Sequence, residues 1–185
     1  KMKNVLSAAV LASLISLPVF AGSHSGDVRL GVALGFTGPA ESLAASMAAG
    51  AELAMDEVSK SGLLFGGSKV TSARADSTCV DAAAAASAAE RLIASEKVDA
   101  IVGALCSGAT ISILQNVAMP NGMVLFSPSA TSPALSTLED NGYFFRSSPS
   151  DARQGQVIAE ILVEKGYKSI AMTYTNNDYG KGLAD

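Results

Sequence analysis

The sequence contains no tryptophan, one histidine and two cysteines among 185 residues. A zinc site needs about four ligands, mostly histidine and cysteine, and this chain cannot supply them. A nucleophilic serine or cysteine needs a nearby base, and the only imidazole, His24, lies near the amino terminus. The sequence therefore predicts no catalytic residues, no metal site and no cofactor.

Positive charge is also scarce. The chain has 13 basic and 17 acidic side chains, with a formal net charge of −4 at pH 7. Loss of Lys1 and Lys3 with an amino-terminal peptide would leave a net charge of about −6. This balance, without a basic cluster, excludes nucleic acid and anionic membrane surfaces as expected partners.

The first 21 residues, "KMKNVLSAAVLASLISLPVFA", place two lysines before a short apolar segment that contains Pro18. A membrane-spanning helix needs about 20 apolar residues, and this run is shorter. Small or branched residues at Val19 and Ala21 suit cleavage after Ala21. The pattern predicts a signal peptide over 1–21 and a periplasmic protein; an uncleaved anchor is the alternative.

Export changes the interpretation of the two cysteines. An oxidising compartment lets Cys79 and Cys106 form a disulfide. Free buried thiols remain the alternative, because a disulfide requires a specific separation between the two residues that the sequence does not give.

Short β-like runs alternate with longer helical patterns from Asp27 onward. Strand, helix, strand repeats of this kind favour right-handed crossovers and a parallel sheet covered on both faces. We therefore predict an α/β, doubly wound, mostly parallel fold. The predicted strands lie at 28–35, 69–76, 99–105 and 123–129, and the predicted helices at 40–62, 81–97 and about 110–118.

The segment "YFFRSSPSDARQGQ", residues 143–156, interrupts this alternation. We interpret it as a crossing between two lobes, the first over 22–147 and the second beginning at 148; a simple surface loop is the alternative. A strand is predicted at 169–175, followed by a helix that is just starting. We expect the chain to be a fragment of a longer protein, with an incomplete second lobe over 148–185.

Hydroxyl side chains and glycines follow the predicted strands. Ligands of open parallel sheets bind at the carboxyl ends of the strands, where helix amino termini also lie. Hydroxyls and free backbone N–H groups form a favourable cradle for a carboxylate. Ser107, Ser129 and Thr131 are therefore candidate ligand-binding residues, although each alone is also typical of a helix or turn cap.

Six motifs occur in order: "GFTGPA", "DSTCVDAAAA", "GALCSGAT", "SPSATSPALS", "FRSSPSDARQG" and "NDYGKGLA". Together they make the chain, from about Asp27 to Asp185, resemble the Leu/Ile/Val-binding type of periplasmic solute-binding proteins that feed ABC importers. The resemblance implies the type I periplasmic binding protein fold. It also implies a disulfide between Cys79 and Cys106 within the first lobe.

The resemblance further implies a role for each site residue. Ser107 would hydrogen-bond the ligand α-carboxylate, and Thr131 would contact both the carboxylate and the ammonium group. The carbonyl of Ser129 would accept from the ammonium group, and Tyr179 would be an aromatic side chain presented by the second lobe. Leu43 stands where branched-chain binders of this kind often carry an aromatic beside the side-chain pocket.

The expected function is that of a solute-binding component of an ABC importer. The ligand would be an amino acid, branched-chain or similar, or a related amide, held between two lobes without catalysis. We expect a monomer that delivers its ligand to an ABC permease in the inner membrane. The alternatives are a ligand-sensing domain of the same fold for a receptor and an exported hydrolase.

Overall fold

Five parallel strands form the centre of the computed structural model, which describes residues 26–185; the predicted signal peptide lies outside these residues. The strand order is β2-β1-β3-β4-β5, and every neighbouring pair is parallel. This architecture confirms the predicted α/β class and parallel sheet. The strands are β1 (Val28–Leu34), β2 (Val70–Asp76), β3 (Ala100–Gly103), β4 (Leu125–Ser127) and β5 (Phe144–Arg146).

Five α-helices also lie within residues 26–185. They are α1 (Glu41–Ser61), α2 (Ala82–Ala94), α3 (Ser107–Ile113), α4 (Asp151–Glu164) and α5 (Asp178–Ala184). A wider π-helical turn, Leu114–Ala118, extends α3. None of the helices within residues 26–185 is both long and apolar enough to cross a membrane.

Helices cover both faces of the sheet, because side chains of a strand alternate between its two faces. Val32 and Leu34 pack with α1 residues such as Ala48, whereas Ala33 joins the opposite core with Leu92 of α2. Small residues allow close packing on that second face: a Cβ added to Gly31 would lie 2.8 Å from Leu92 Cδ1. The sheet is therefore doubly wound, as predicted.

The predicted disulfide is present between Cys79 and Cys106, which are 27 residues apart in sequence. It joins the loop after β2 to the start of α3. The loop after β1 runs very close to this bridge, since a Cβ added to Gly35 would lie 2.9 Å from Cys79 Sγ and 2.5 Å from Thr78 O. The disulfide thus fixes three strand-end loops relative to one another.

Two predicted elements differ from the structure. Helix α3 begins at Ser107 rather than near residue 110, because Cys106 with its extended backbone already acts as the N-cap. The strand predicted at 169–175 is wrong, since these residues belong to no strand. A strand requires a hydrogen-bonded neighbour, and within residues 26–185 the sheet contains only β1 to β5.

Removal of the disulfide tests its contribution to stability. Closing a loop of this length should stabilise the folded state by about 3–4 kcal/mol in the chain-entropy model. The double variant Cys79→Ser and Cys106→Ser should lower the free energy of unfolding by about that amount, measured by urea denaturation of the full-length protein. Equal stability of the variant and the oxidised parent would contradict the structural role.

Candidate functional site

The loops after β3 and β4 are joined by serine side chains at the carboxyl edge of the sheet. Ser127 Oγ donates to the carbonyl of Ala104 at 2.7 Å, and Ser129 Oγ donates to the carbonyl of Leu105 at 2.8 Å. Ser127 Oγ also accepts from the N–H of Ala130 at 3.0 Å. These bonds bring the two predicted ligand-binding loops together.

Ser107 is the first residue of α3 and is only 2% exposed. Its Oγ accepts from the N–H of Ser132 at 3.2 Å, so the loop after β4 lies directly against the start of α3. Among the described residues, no side chain caps the amino terminus of α3. The first N–H groups of a helix have no partner within the helix, so they and the Ser107 hydroxyl proton are donors available to an anion.

Thr131 forms two hydrogen bonds with Asp151, a residue that the sequence did not identify. Thr131 Oγ1 donates to Asp151 Oδ2 at 2.7 Å, and the N–H of Asp151 donates to the Thr131 carbonyl at 2.9 Å. Asp151 is the first residue of α4 and is 4% exposed.

Arg146 at the end of β5 holds the same loop. Its Nη1 donates to the carbonyls of Ala130 and Ser132, each at 3.0 Å, and its Nη2 donates to Ser136 Oγ at 2.6 Å. Burial lowers the pKa of Arg146, and the nearby charge of Asp151 opposes this effect. The guanidinium group therefore holds the loop after β4 through these three hydrogen bonds.

The six carbonyl groups of residues 127–132 are nearly all hydrogen-bonded. Ser147 donates to the carbonyls of residues 127 and 128, through its N–H and its Oγ respectively. The carbonyl of residue 130 accepts from Arg146 and Ser148, and that of residue 131 accepts from Asp151 N. The carbonyl of residue 132 accepts from Leu135 N and Arg146. Only the Ser129 carbonyl receives no hydrogen bond from residues 26–185. Both lone pairs of this carbonyl oxygen are therefore free to accept from an outside donor.

Asp76, at the end of β2, holds the loop after β1. Its carboxylate accepts from Thr37 Oγ1, from the Thr37 N–H at 3.3 Å and from the Thr78 N–H at 2.9 Å. Burial acts to raise the pKa of Asp76, but these hydrogen bonds, with one from the Phe36 N–H, outweigh it and lower the pKa. The loop that leads into α1 is thereby anchored beside the disulfide.

Within residues 26–185, no hydrogen bond connects Leu43 to Ser107, Ser129 or Thr131. It lies in the first turns of α1, with 52% of its surface exposed, and belongs to neither buried core. Its backbone N–H donates to Ala40 and its carbonyl accepts from Ser46, so its hydrogen bonds are local.

Tyr179 lies on α5 and is 45% exposed. It lines a cavity of about 670 Å³, together with Ile158, Leu162 and Met172, that is separate from the loops after β3 and β4. The helix nevertheless approaches these loops closely. A Cβ added to Gly108 would lie 2.8 Å from Asp178 Oδ2.

A second cavity, of about 720 Å³, lies beside α5 and the loop after β4. The two elements also touch directly, since a Cβ added to Gly182 would lie 2.9 Å from Ser132 Oγ. Ser132 and Asp151 line it on one side, and Asp178 and Lys181 line it on the other. Ser107, Ser129 and Thr131 do not line this cavity; Ser107 and Thr131 are hydrogen-bonded to Ser132 and Asp151, which do.

Comparisons with known proteins identify the family of this chain. A family model described as "Periplasmic binding protein" matches residues 27–185. The Leu/Ile/Val-binding protein homolog 3 of Brucella melitensis is 30% identical over 183 residues, which cover 98% of this chain and 48% of that protein. The chain spans about half the length of the curated relatives it matches.

Solved structures show the same fold. The substrate binding protein of a branched-chain amino acid transporter from Streptococcus pneumoniae, in complex with isoleucine, is 30% identical, with a TM-score of 0.74 over 85% of this chain and 44% of that one. A leucine binding protein from Thermotoga maritima is 27% identical, with a TM-score of 0.70 over 85% of this chain and 43% of that one.

Replacement of Asp76 by asparagine tests the anchor of the first loop. Loss of the charged acceptor should lower the free energy of unfolding by about 1–2 kcal/mol at neutral pH. Because the pKa of Asp76 is lowered below its ordinary 3.8 in the folded protein, its stabilisation is present above that value and is lost as pH falls through the folded-state pKa.

Urea denaturation of the parent and the Asp76→Asn variant at neutral pH and at about pH 3 measures this difference. Asp56→Asn is the matched control, because Asp56 forms only an exposed ion pair with Lys60. A difference between parent and Asp76→Asn that stays constant across this pH range would contradict the assignment.

Proposed function

The chain belongs to the periplasmic binding protein family, and we propose that the full protein is the extracytoplasmic solute-binding component of an ABC importer. Its ligand is an amino acid, branched-chain in the first instance. The relatives support this choice, since one is named as a Leu/Ile/Val-binding protein homolog and a similar structure holds isoleucine. They offer no support for a sensor or a hydrolase.

The ligand carboxylate binds at the start of α3. The observation that carries this proposal is the buried Ser107 hydroxyl, which accepts from Ser132 N and keeps its own proton for an anion. The uncapped N–H groups of α3 add donors and the favourable end of the helix dipole. A carboxylate removed from water needs such charge-assisted hydrogen bonds.

The ligand ammonium group binds at the loop after β4. The free carbonyl of Ser129 accepts one of its protons, and Thr131 Oγ1 accepts a second. The two charged groups of the ligand thus form hydrogen bonds with neighbouring loops. The carboxylate binds Ser107, and the ammonium group binds the carbonyl of Ser129.

The second lobe, beginning at residue 148, closes over the bound ligand. Tyr179 on α5 contributes an aromatic contact after closure, and Leu43 forms part of the side-chain pocket. Ligand binds the closed form more tightly than the open form, and this difference in affinity shifts the population toward closure. An ABC permease in the inner membrane then recognises the closed monomer.

The protein binds without catalysis and works in the periplasm. The partner of Ser107 Oγ is a backbone N–H, which cannot remove a proton from the hydroxyl. The disulfide between Cys79 and Cys106 is suited to an oxidising compartment.

Thermal unfolding of the full-length protein with each common L-amino acid and several aliphatic amides tests this function. A true ligand at roughly 100 times its dissociation constant stabilises the native state by about 2.7 kcal/mol. We expect the largest rise in Tm with isoleucine, leucine or valine. A panel without any shift for these three would contradict the proposed ligand class.

Ser107→Ala tests the carboxylate position. Loss of a hydrogen bond to a charged group should weaken the affinity for L-isoleucine by about 10- to 100-fold, measured by isothermal titration calorimetry. Ser46→Ala is the control, since Ser46 only donates to the Leu43 carbonyl on the exposed face of α1. Unchanged affinity of Ser107→Ala would place the carboxylate elsewhere.

A further inference from the structure

Helix α5 rests directly on the loop after β4. A Cβ added to Gly182 of α5 would lie 2.8 Å from Pro133 Cδ and 2.9 Å from Ser132 Oγ. Two carbon atoms in favourable contact are about 3.5–4.0 Å apart. The two elements therefore approach each other at a distance that only a residue without a side chain permits.

The surface beneath Gly182 is held in place. Pro133 Cδ belongs to a closed ring, which has no rotamer that would move it aside. Ser132 is 1% exposed, and its N–H donates to Ser107 Oγ at 3.2 Å while its carbonyl accepts from Arg146 Nη1 at 3.0 Å. A methyl group at position 182 would therefore have to push α5 away from the loop.

Backbone conformation does not explain this glycine. Gly182 lies inside α5 and is not among the residues with positive φ, and glycine is a weaker helix former than alanine. The neighbouring Gly180 has a local reason, because an added Cβ would overlap the Thr175 carbonyl of the same segment. For Gly182, the three nearest atoms all belong to Ser132 and Pro133. The contact with the loop after β4 is what requires glycine there.

The first residue of α5 approaches α3 in a similar way. A Cβ added to Gly108 would lie 2.8 Å from Asp178 Oδ2. Gly108 follows Ser107, the residue that we propose for the ligand carboxylate. Helix α5 thus reaches the start of α3 and the loop after β4 together. The Asp178 carboxylate can rotate away from an added methyl group, so Gly182 is the stricter constraint.

We infer that Gly182 is a positioning residue for closure, because its missing side chain lets α5 of the proposed second lobe seat on residues 132 and 133 of the first lobe. It would thereby strengthen ligand binding without contact with the ligand. The inference rests on the proposed function, since it assumes that the lobes close over an amino acid at Ser107. In the open form α5 lies away from the loop, so a methyl group at position 182 disfavours the closed form alone. The apparent affinity then falls with the population of that form.

A Gly182→Ala variant of the full-length protein tests the inference. Its affinity for L-isoleucine, measured by isothermal titration calorimetry, should fall about 10-fold. Surface plasmon resonance should assign this loss to faster dissociation with little change in the association rate, because the ligand first meets the open form. The Tm of the ligand-free variant should equal or exceed that of the parent, since alanine is the better helix former.

Gly50→Ala is the matched control. Gly50 also lies inside a helix, α1, and a Cβ added to it would meet nothing within 4 Å. This variant should keep the affinity and the dissociation rate of the parent.

Removal of the obstructing ring provides a second readout. Pro133→Ala deletes the Cδ atom that lies 2.8 Å from the added Cβ. The loss of affinity caused by Gly182→Ala should therefore be smaller in the Pro133→Ala background than in the parent.

Several results would overturn the inference. Unchanged affinity in Gly182→Ala would show that α5 does not seat on this loop when ligand binds. A ligand-free Gly182→Ala protein that fails to fold, or has a lower Tm than the parent, would show that the glycine serves the fold of α5 instead. An equal loss of affinity with and without Pro133 would exclude the ring contact as its cause.

The parent protein separates this inference from the proposed function. A parent that binds none of the branched-chain amino acids overturns both. A parent that binds L-isoleucine, with the same affinity and dissociation rate in Gly182→Ala, overturns this inference alone.

Discussion

The candidate site depends on the hydrogen bonding of one loop, residues 127–132. Buried backbone groups are costly unless they have partners, and this loop has partners for all its carbonyls except that of Ser129 among the described residues. Arg146 supplies two of these bonds and the Ser127 and Ser129 hydroxyls join the loop to β3. Because the other carbonyls have partners, the Ser129 carbonyl is the backbone acceptor that we propose for the ligand ammonium group.

The same bonds connect ligand recognition to the relative position of the proposed lobes. Ser147, Ser148 and Asp151 lie in the segment that leads from β5 into α4, and all three donate to carbonyls of the loop. Thr131, which we propose as a ligand contact, is itself hydrogen-bonded to Asp151 at the start of α4. This direct connection gives a physical route by which binding can favour one arrangement of the lobes over another.

Periodic features of the sequence predicted the fold well, but contacts between distant residues were not predictable. The alternation of strand and helix patterns located β1, β2, α1 and α2 closely, because burial on a sheet imposes those periods. Residues 169–175 had a strand-like composition, yet pairing depends on a neighbour that the pattern does not specify. Asp151 and Arg146 were missed because their partners lie 10 to 20 residues away in sequence.

The crystal structure of the full-length protein with L-isoleucine tests the central claim most directly. The account predicts the ligand carboxylate within hydrogen-bonding distance of Ser107 Oγ and the ammonium group within the same distance of the Ser129 carbonyl and Thr131 Oγ1. A ligand bound in the reverse orientation, or in the apolar cavity beside Tyr179, would contradict it.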